Sequence, residues 1–352
     1  MTRSQDNPWL HRFALLTAAS TLFLIWLGGL VTSHGAGMAV PDWPTTYGYN
    51  MFFFPISRWV GGIFYEHSHR LVASGIGFLT VILTVWLWLK EERRWLRRLG
   101  YVALVAVVLQ GVLGGLRVTQ MKDVIGVFHA TLAQMFFALL CSIAMFTSRW
   151  WRVYAETSAN RPGAGTMRHA FAIVTGMILV QLIVGATMRH QHAGLAIPDF
   201  PAAYGKFWPA MDVDSVARYN QARGEVTATN PITAFQIGVQ MVHRFMALAI
   251  LLSVAWLAGA ARRSQPGTAL SRGAAFWLGL ILVQAALGVF TIWTNKAADV
   301  ATAHVAIGAL SLVTGVLLSV VTAVRSGSST LQAASQVSQR GRVASQSEQV
   351  TA

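Results

Sequence analysis

Apolar residues in this chain come in long unbroken runs rather than in alternation. Eight runs lie at about residues 12–32, 61–89, 99–118, 124–147, 168–188, 232–260, 274–294 and 300–324. Each is at least about 20 residues long, enough for a helix to cross a bilayer. A bilayer accepts helices or closed barrels, and continuous apolarity without a period of two selects helices. The pattern predicts an all-α polytopic membrane protein with eight transmembrane helices.

Polar breaks set the topology. Charged segments at 90–98 (KEERRWLRR), 149–168 and 262–272 alternate with two long loops, 33–60 and 189–231, and two short ones near 119–123 and 295–299. Of the 27 Lys and Arg residues, 17 fall on the side of the charged segments and the termini, Arg3 and Arg161 among them. Seven fall on the other side, and Arg70, Arg117 and Arg244 lie at or inside the runs. This bias predicts both termini in the cytoplasm. The net charge of +14 then reflects topology, and nucleic acid is not an expected partner. The first run lacks a clear cleavage site and reads as a retained helix. Residues 325–352 are Ser/Gln-rich without apolar period and are expected to form a disordered cytoplasmic tail.

The two halves repeat. GMAVPDWPTTYG at 37–48 matches GLAIPDFPAAYG at 194–205, an offset of 157. Further on, His69-Arg70 matches His243-Arg244 and Leu113-Gly114 matches Leu287-Gly288, both offset by 174, and His129 matches His304. Each repeat holds an even number of spans, so both enter the membrane in the same direction. The expectation is two four-helix bundles, 1–147 and 168–324, joined by a cytoplasmic linker at 148–167. A pseudo-two-fold along the membrane normal would relate them, as a parallel repeat.

His69, His129, His243 and His304 all fall in the first turns of even-numbered spans, at one depth toward the outside. Two imidazoles from facing helices are the means by which a bundle ligates haem iron. Zinc would want three or four closely spaced donors. The competing account is four polar side chains tied to backbone carbonyls. Small residues near the histidines (Ser68, Ala73, Gly75, Ala130, Ala247, Ala303, Ala306, Gly308) suit either a macrocycle or close helix packing. Arg70 and Arg244 are expected to pair with haem propionates, with snorkelling to the interface as the alternative. His34, His190 and His192 near the outer interface either cover a haem edge or are solvated, and His67 points away from the Glu66/His69 face.

One position breaks the repeat. Glu66 precedes His69 by three residues, and Gln240 precedes His243 by three. One pocket therefore has a proton-exchanging group and the other a neutral amide. That asymmetry argues for chemistry in the first half and a permanent haem in the second, the alternative being that Glu66 is an exposed interfacial residue.

Taken together, the eight spans in two repeats, the Glu-x-x-His-Arg at 66–70, His129, His243, His304 and the Gly-x-Gly-x-x-x-Pro-Asp-Trp-Pro at 35–44 resemble the haem A synthase family over nearly the whole chain before the tail. The resemblance implies oxidation of the C8 methyl of haem O to the formyl of haem A, through hydroxylated intermediates, for cytochrome oxidase. It implies substrate haem O between His69 and His129, Glu66 in catalysis, and haem b as cofactor on His243 and His304. A haem O synthase is then a candidate source of the substrate. The location implied is a bacterial cell membrane or the equivalent mitochondrial inner membrane, with membrane lipid around the chain. The electron donor and any homo-oligomer are left open. The chain departs from many family members in lacking a loop cysteine pair. Those positions are Val40 and Thr46, with Ile197 and Ala203 as second-half equivalents, and the single cysteine is Cys141. The chain thus resembles the cysteine-lacking branch. Two other functions share the histidine pattern: a two-haem electron-transfer cytochrome, and a haem transporter or chaperone.

Overall fold

The computed structural model describes residues 7–158, 165–223 and 231–350, the side chains of residues 158, 165–166 and 325–350 excepted. Arg3, Arg161 and residues 224–230 of the second long loop lie outside these residues. The described chain is helical: α1 (Pro8–Ser33), α2 (Gly61–Lys90), α3 (Arg94–Gln120), α4 (Asp123–Thr147), α5 (Arg149–Ser158), α6 (Gly165–His190), α7 (Val213–Ala222), α8 (Ala234–Ser264), α9 (Ala269–Trp293) and α10 (Ala298–Val350). Eight of these are long and apolar enough to cross a membrane: α1 to α4, α6, α8, α9 and the part of α10 that ends at Val324. They coincide with the eight predicted runs. α10 continues to Val350, past the point where the sequence predicts a disordered tail, and no proline interrupts it there.

Local chemistry explains where the helices start and turn. Asn7 caps α1 by accepting from the Leu10 N–H at 3.0 Å, with Pro8 at the first helical position. Thr233 and Gln236 form a reciprocal capping box at the start of α8. Met121, in a left-handed conformation, closes α3, and Asn295 and Lys296 do the same after α9. Such short turns make α3/α4 and α9/α10 antiparallel neighbours.

α1 packs on α2 and α4, α2 on α3, and α3 on α4. α6 packs on α8 and α10, α8 on α9, and α9 on α10. The two sets join through α1–α10, α4–α6 and α4–α10. α10 is the most enclosed span, and its side chains enter both cores. The cores fill the end of the molecule away from the long loops. Leu83, Leu87, Leu140 and Ile143 centre one, and Phe171, Leu257, Leu270 and Trp277 the other. Trp277 spends its indole N–H on the Ser311 carbonyl at 2.8 Å, as a buried indole must. Leu16, Phe23, Phe78, Val105, Leu252 and Phe276 face outward, which suits contact with lipid.

Candidate functional site

The two long loops fold as copies. In the first, the Asp42 carboxylate accepts from the N–H groups of Tyr47 (2.7 Å) and Gly48 (2.9 Å) and from the Thr45 hydroxyl. In the second, Asp199 accepts from Tyr204 N–H (2.7 Å) and Gly205 N–H (2.8 Å). Tyr47 and Tyr204 both take positive φ, and their hydroxyls donate to Ala39 and Ala196 carbonyls. Burial would raise the Asp42 pKa, but the hydrogen bonds from Gly48, Thr45 and Tyr47 outweigh it and hold the carboxyl below its ordinary range. Burial pushes the Tyr204 phenol up to about 12.

Each loop is tied down to the helix that carries a candidate ligand. Glu66 on α2 accepts the Val40 N–H at 2.9 Å, and Gln240 on α8 accepts the Ile197 N–H at 2.7 Å. Arg70 donates to the carbonyls of Val40, Asp42 and Thr45, and Arg244 to those of Asp199 and Ala202. These donors strap loop carbonyls, so a propionate at either arginine would share the guanidinium with the loop. The halves part at the acid. Glu66 is buried and pairs with Arg70 at 2.7 Å, whereas Gln240 donates toward the carbonyls of Ile197 and Gly194. Val40, Thr46, Ile197 and Ala203, the positions of the missing cysteine pair, are all buried within the folded loops.

All four histidines lie at the loop end of the spans, above the two cores. Each imidazole rests on a glycine of the neighbouring helix. A Cβ built on Gly28 of α1 would meet the His69 ring at 3.0 Å, on Gly114 of α3 the His129 ring at 3.4 Å, on Gly185 of α6 the His243 ring at 3.3 Å, and on Gly288 of α9 the His304 ring at 3.2 Å. In all four the Nδ1 atom is buried and bonds to nothing among the described residues. Orphaned buried ring nitrogens are costly, and they contradict the account in which the imidazoles are satisfied by backbone carbonyls.

The donor set fits a haem. Bis-imidazole iron has bonds of about 2 Å, with about 1 Å more from each nitrogen to its ring centre, and so spaces the ring centres by about 6 Å. His243 and His304 stand 6.4 Å apart with an interplanar angle of 57°. His69 and His129 lie within electrostatic reach of each other. A separate cavity of about 150 Å³ beside His192, Arg223, Gln236 and Lys296 is too small for a macrocycle.

The remaining histidines separate into roles. His67 is buried against Phe54 and Trp59 with its Nδ1 3.2 Å from the Thr46 hydroxyl, turned from the Glu66 face as expected. His34 stacks on Tyr65. His190 is buried against Gly126 of α4, at the junction of the two sets of helices.

Some residues at the site went unassigned in the sequence. Gln110 donates to the His129 carbonyl (3.1 Å), Gln181 donates to the His243 carbonyl (2.9 Å), and the Gln284 amide sits 3.4 Å from the His304 ring. Gln110 and Gln284 share the 174 offset, and Gly28 and Gly185 the 157 offset, so the repeat itself carried that signal.

Residues 55–316 match the model of the COX15-CtaA family, described as cytochrome oxidase assembly protein. The heme A synthase of Shouchella clausii is 27% identical over 299 residues, 82% of this chain and 88% of that protein. The heme A synthase of Rhizorhabdus wittichii is 32% identical over 258 residues, 71% and 68% of the two chains, and that of Chelativorans sp. is 31% identical over 259 residues, 71% and 67%. Eight apolar helices, a duplicated histidine pair and a family match across most of the length converge: the chain is an integral membrane protein that belongs to the COX15-CtaA family of cytochrome oxidase assembly proteins.

Proposed function

We propose that this chain is a haem A synthase, a membrane oxidoreductase that oxidises the C8 methyl of haem O to the formyl group of haem A for cytochrome oxidase. The observation that carries the reading is the pair of duplicated imidazole sites, each ring against a glycine and each with an orphaned Nδ1. Heme A synthases among the relatives support the reaction. In this reading the halves are related by a pseudo-two-fold along the membrane normal, with both termini cytoplasmic. The substrate haem O lies between His69 and His129. A haem b on His243 and His304 supplies one-electron redox chemistry when bound.

The chain's own groups do the rest. His69 and His129 orient the substrate between α2 and α4, and Gly28 and Gly114 let those rings sit close to their neighbouring helices. Methyl to formyl breaks two C–H bonds, gains one oxygen atom and gives up four electrons, RCH3 + H2O → RCHO + 4 H+ + 4 e−, with the electrons leaving to an oxidant other than the chain's own residues, so a proton acceptor near the substrate serves the reaction. Glu66, one turn before His69 and held by the Val40 N–H and Arg70, is that group. The loop around 37–48 closes over the site and keeps bulk water out.

Haem extraction from the purified full chain, with chromatographic identification, tests the reading. Haem B together with haem O or haem A supports it. Haem B alone overturns it in favour of an electron-transfer cytochrome.

A further inference from the structure

A second ionisable residue breaks the repeat. Arg117 lies in the last turn of α3, three residues beyond Gly114. At the 174 offset the other half has Thr291. Arg117 is half-buried, its Nε is enclosed and contacts no acceptor, and no ion pair or hydrogen bond holds its guanidinium among the described residues. The two nearest acids do not neutralise it. Glu66 is already paired with Arg70, and Asp123 is exposed at the start of α4.

A second cation lies nearby: Arg189 of α6 is within electrostatic reach of it. Arg189 is half-buried at the junction of the halves, where it donates to the Gly29 carbonyl and the Ser33 hydroxyl of α1 while its Nε has no partner among the described residues. Withdrawing a guanidinium from water without a counter-charge is costly, and a second one nearby raises that cost. The arrangement calls for an anion.

Position says which anion. Arg117 is within electrostatic reach of both His69 and His129. The first loop lies directly over it: a Cβ on Gly37 would meet its guanidinium at 2.6 Å, and the Trp43 indole packs on Gly115. The group therefore lies at the loop end of the first histidine pair and beneath the loop. A haem carries two carboxylates on one edge, and the C8 methyl shares a pyrrole ring with one of them. Arg70 and Arg244, the arginines adjacent to ligands, already hold loop carbonyls.

We propose that Arg117 receives a propionate of the haem held by His69 and His129, and thereby fixes the substrate's in-plane orientation so that the C8 edge faces Glu66. The second half has Thr291 at the equivalent position, and Arg189, the guanidinium nearer its pair, already donates to Gly29 and Ser33. The inference rests on the proposed haem O site in the first half.

The test uses the purified full chain titrated with haem O and with haem O dimethyl ester, followed by Soret absorbance. A charge-assisted bond of this kind makes the wild type prefer the free acid by about tenfold to a hundredfold. Arg117→Gln should lose that preference and bind the diester as the wild type does. Arg117→Lys should keep part of it, and resident haem b should stay unchanged in both variants. Equal weakening of acid and ester, or weakening of neither, overturns the role of Arg117. A wild type that takes up no haem O at all overturns the underlying site instead.

Discussion

The first and second halves differ at their loop ends far less in scaffold than in charge. Both loops turn on an aspartate that caps the same two N–H groups, both tie a buried valine or isoleucine N–H to the helix below, and both are strapped by an arginine. Both histidine pairs rest on glycines. Ionisable residues set the halves apart: Glu66 stands where the other half has Gln240, Arg117 where it has Thr291, and Arg189 of the second half where the first has Thr32. A shared scaffold whose acid and unpaired guanidinium fall on the first side is what the proposed function expects of a duplicated site in which one copy turns over its haem and the other keeps it.

The largest expected effect removes a ligand. His243→Ala or His304→Ala should deplete bound haem b almost completely while leaving the first site able to take up haem O; pyridine haemochrome content measures it, and an unchanged content would sink the second site. His69→Ala should do the opposite, keeping haem b while haem A formation stops.

Next is the acid. Glu66→Gln gives the first half the residue of the second, and Gln240 shows that an amide at that place still accepts the loop N–H. The fold and haem b content should hold while haem A formation in cells falls about a hundredfold or more. Haem A production at the wild-type level would remove Glu66 from the chemistry.

A smaller difference comes from the cradles. At Gly28 a methyl would approach the His69 ring to 3.0 Å, against 3.3 Å for Gly185 and His243. Gly28→Ala should therefore weaken haem O uptake severalfold, and Gly185→Ala should shift haem b less. Equal effects in titrations of the two variants would refute the ranking.

The smallest effect is on pH. The Asp42 carboxyl sits below its ordinary value of 3.8 in the folded loop. Its contribution to stability is then complete above that value and is lost as pH falls through the lower folded value. Asp42→Asn should flatten the acid side of the melting-temperature profile below about pH 4 and leave neutral pH little changed. An unaltered acid limb would show that Asp42 does not hold the turn.

Much of this was legible in the residues. Eight spans follow from run length, because a bilayer sets a minimum and punishes interruption. Duplication follows from the offsets, and the four histidines stand out because polar groups are rare in apolar runs. The small residues chosen for their closeness to the histidines in sequence were less informative than Gly28, Gly114, Gly185 and Gly288, which lie on other helices. Sequence adjacency says nothing about which neighbouring helix a ring will face.

The same limit governed the arginines. Arg70 and Arg244 invited a propionate partner by standing next to a ligand, yet their donors reach loop carbonyls 25 to 45 residues away. Arg117 attracted no role because it adjoins no motif. Its meaning comes from having no acceptor once α3, α4, α6 and the first loop have closed around it. Run lengths, repeat offsets and the ionisable asymmetry at 66 and 240 were determined by the sequence alone, since they depend on local composition and the bilayer. Which guanidinium is satisfied and which is left needing an anion was decided only by tertiary packing, because a hydrogen bond depends on groups meeting in space, however far apart they lie along the chain.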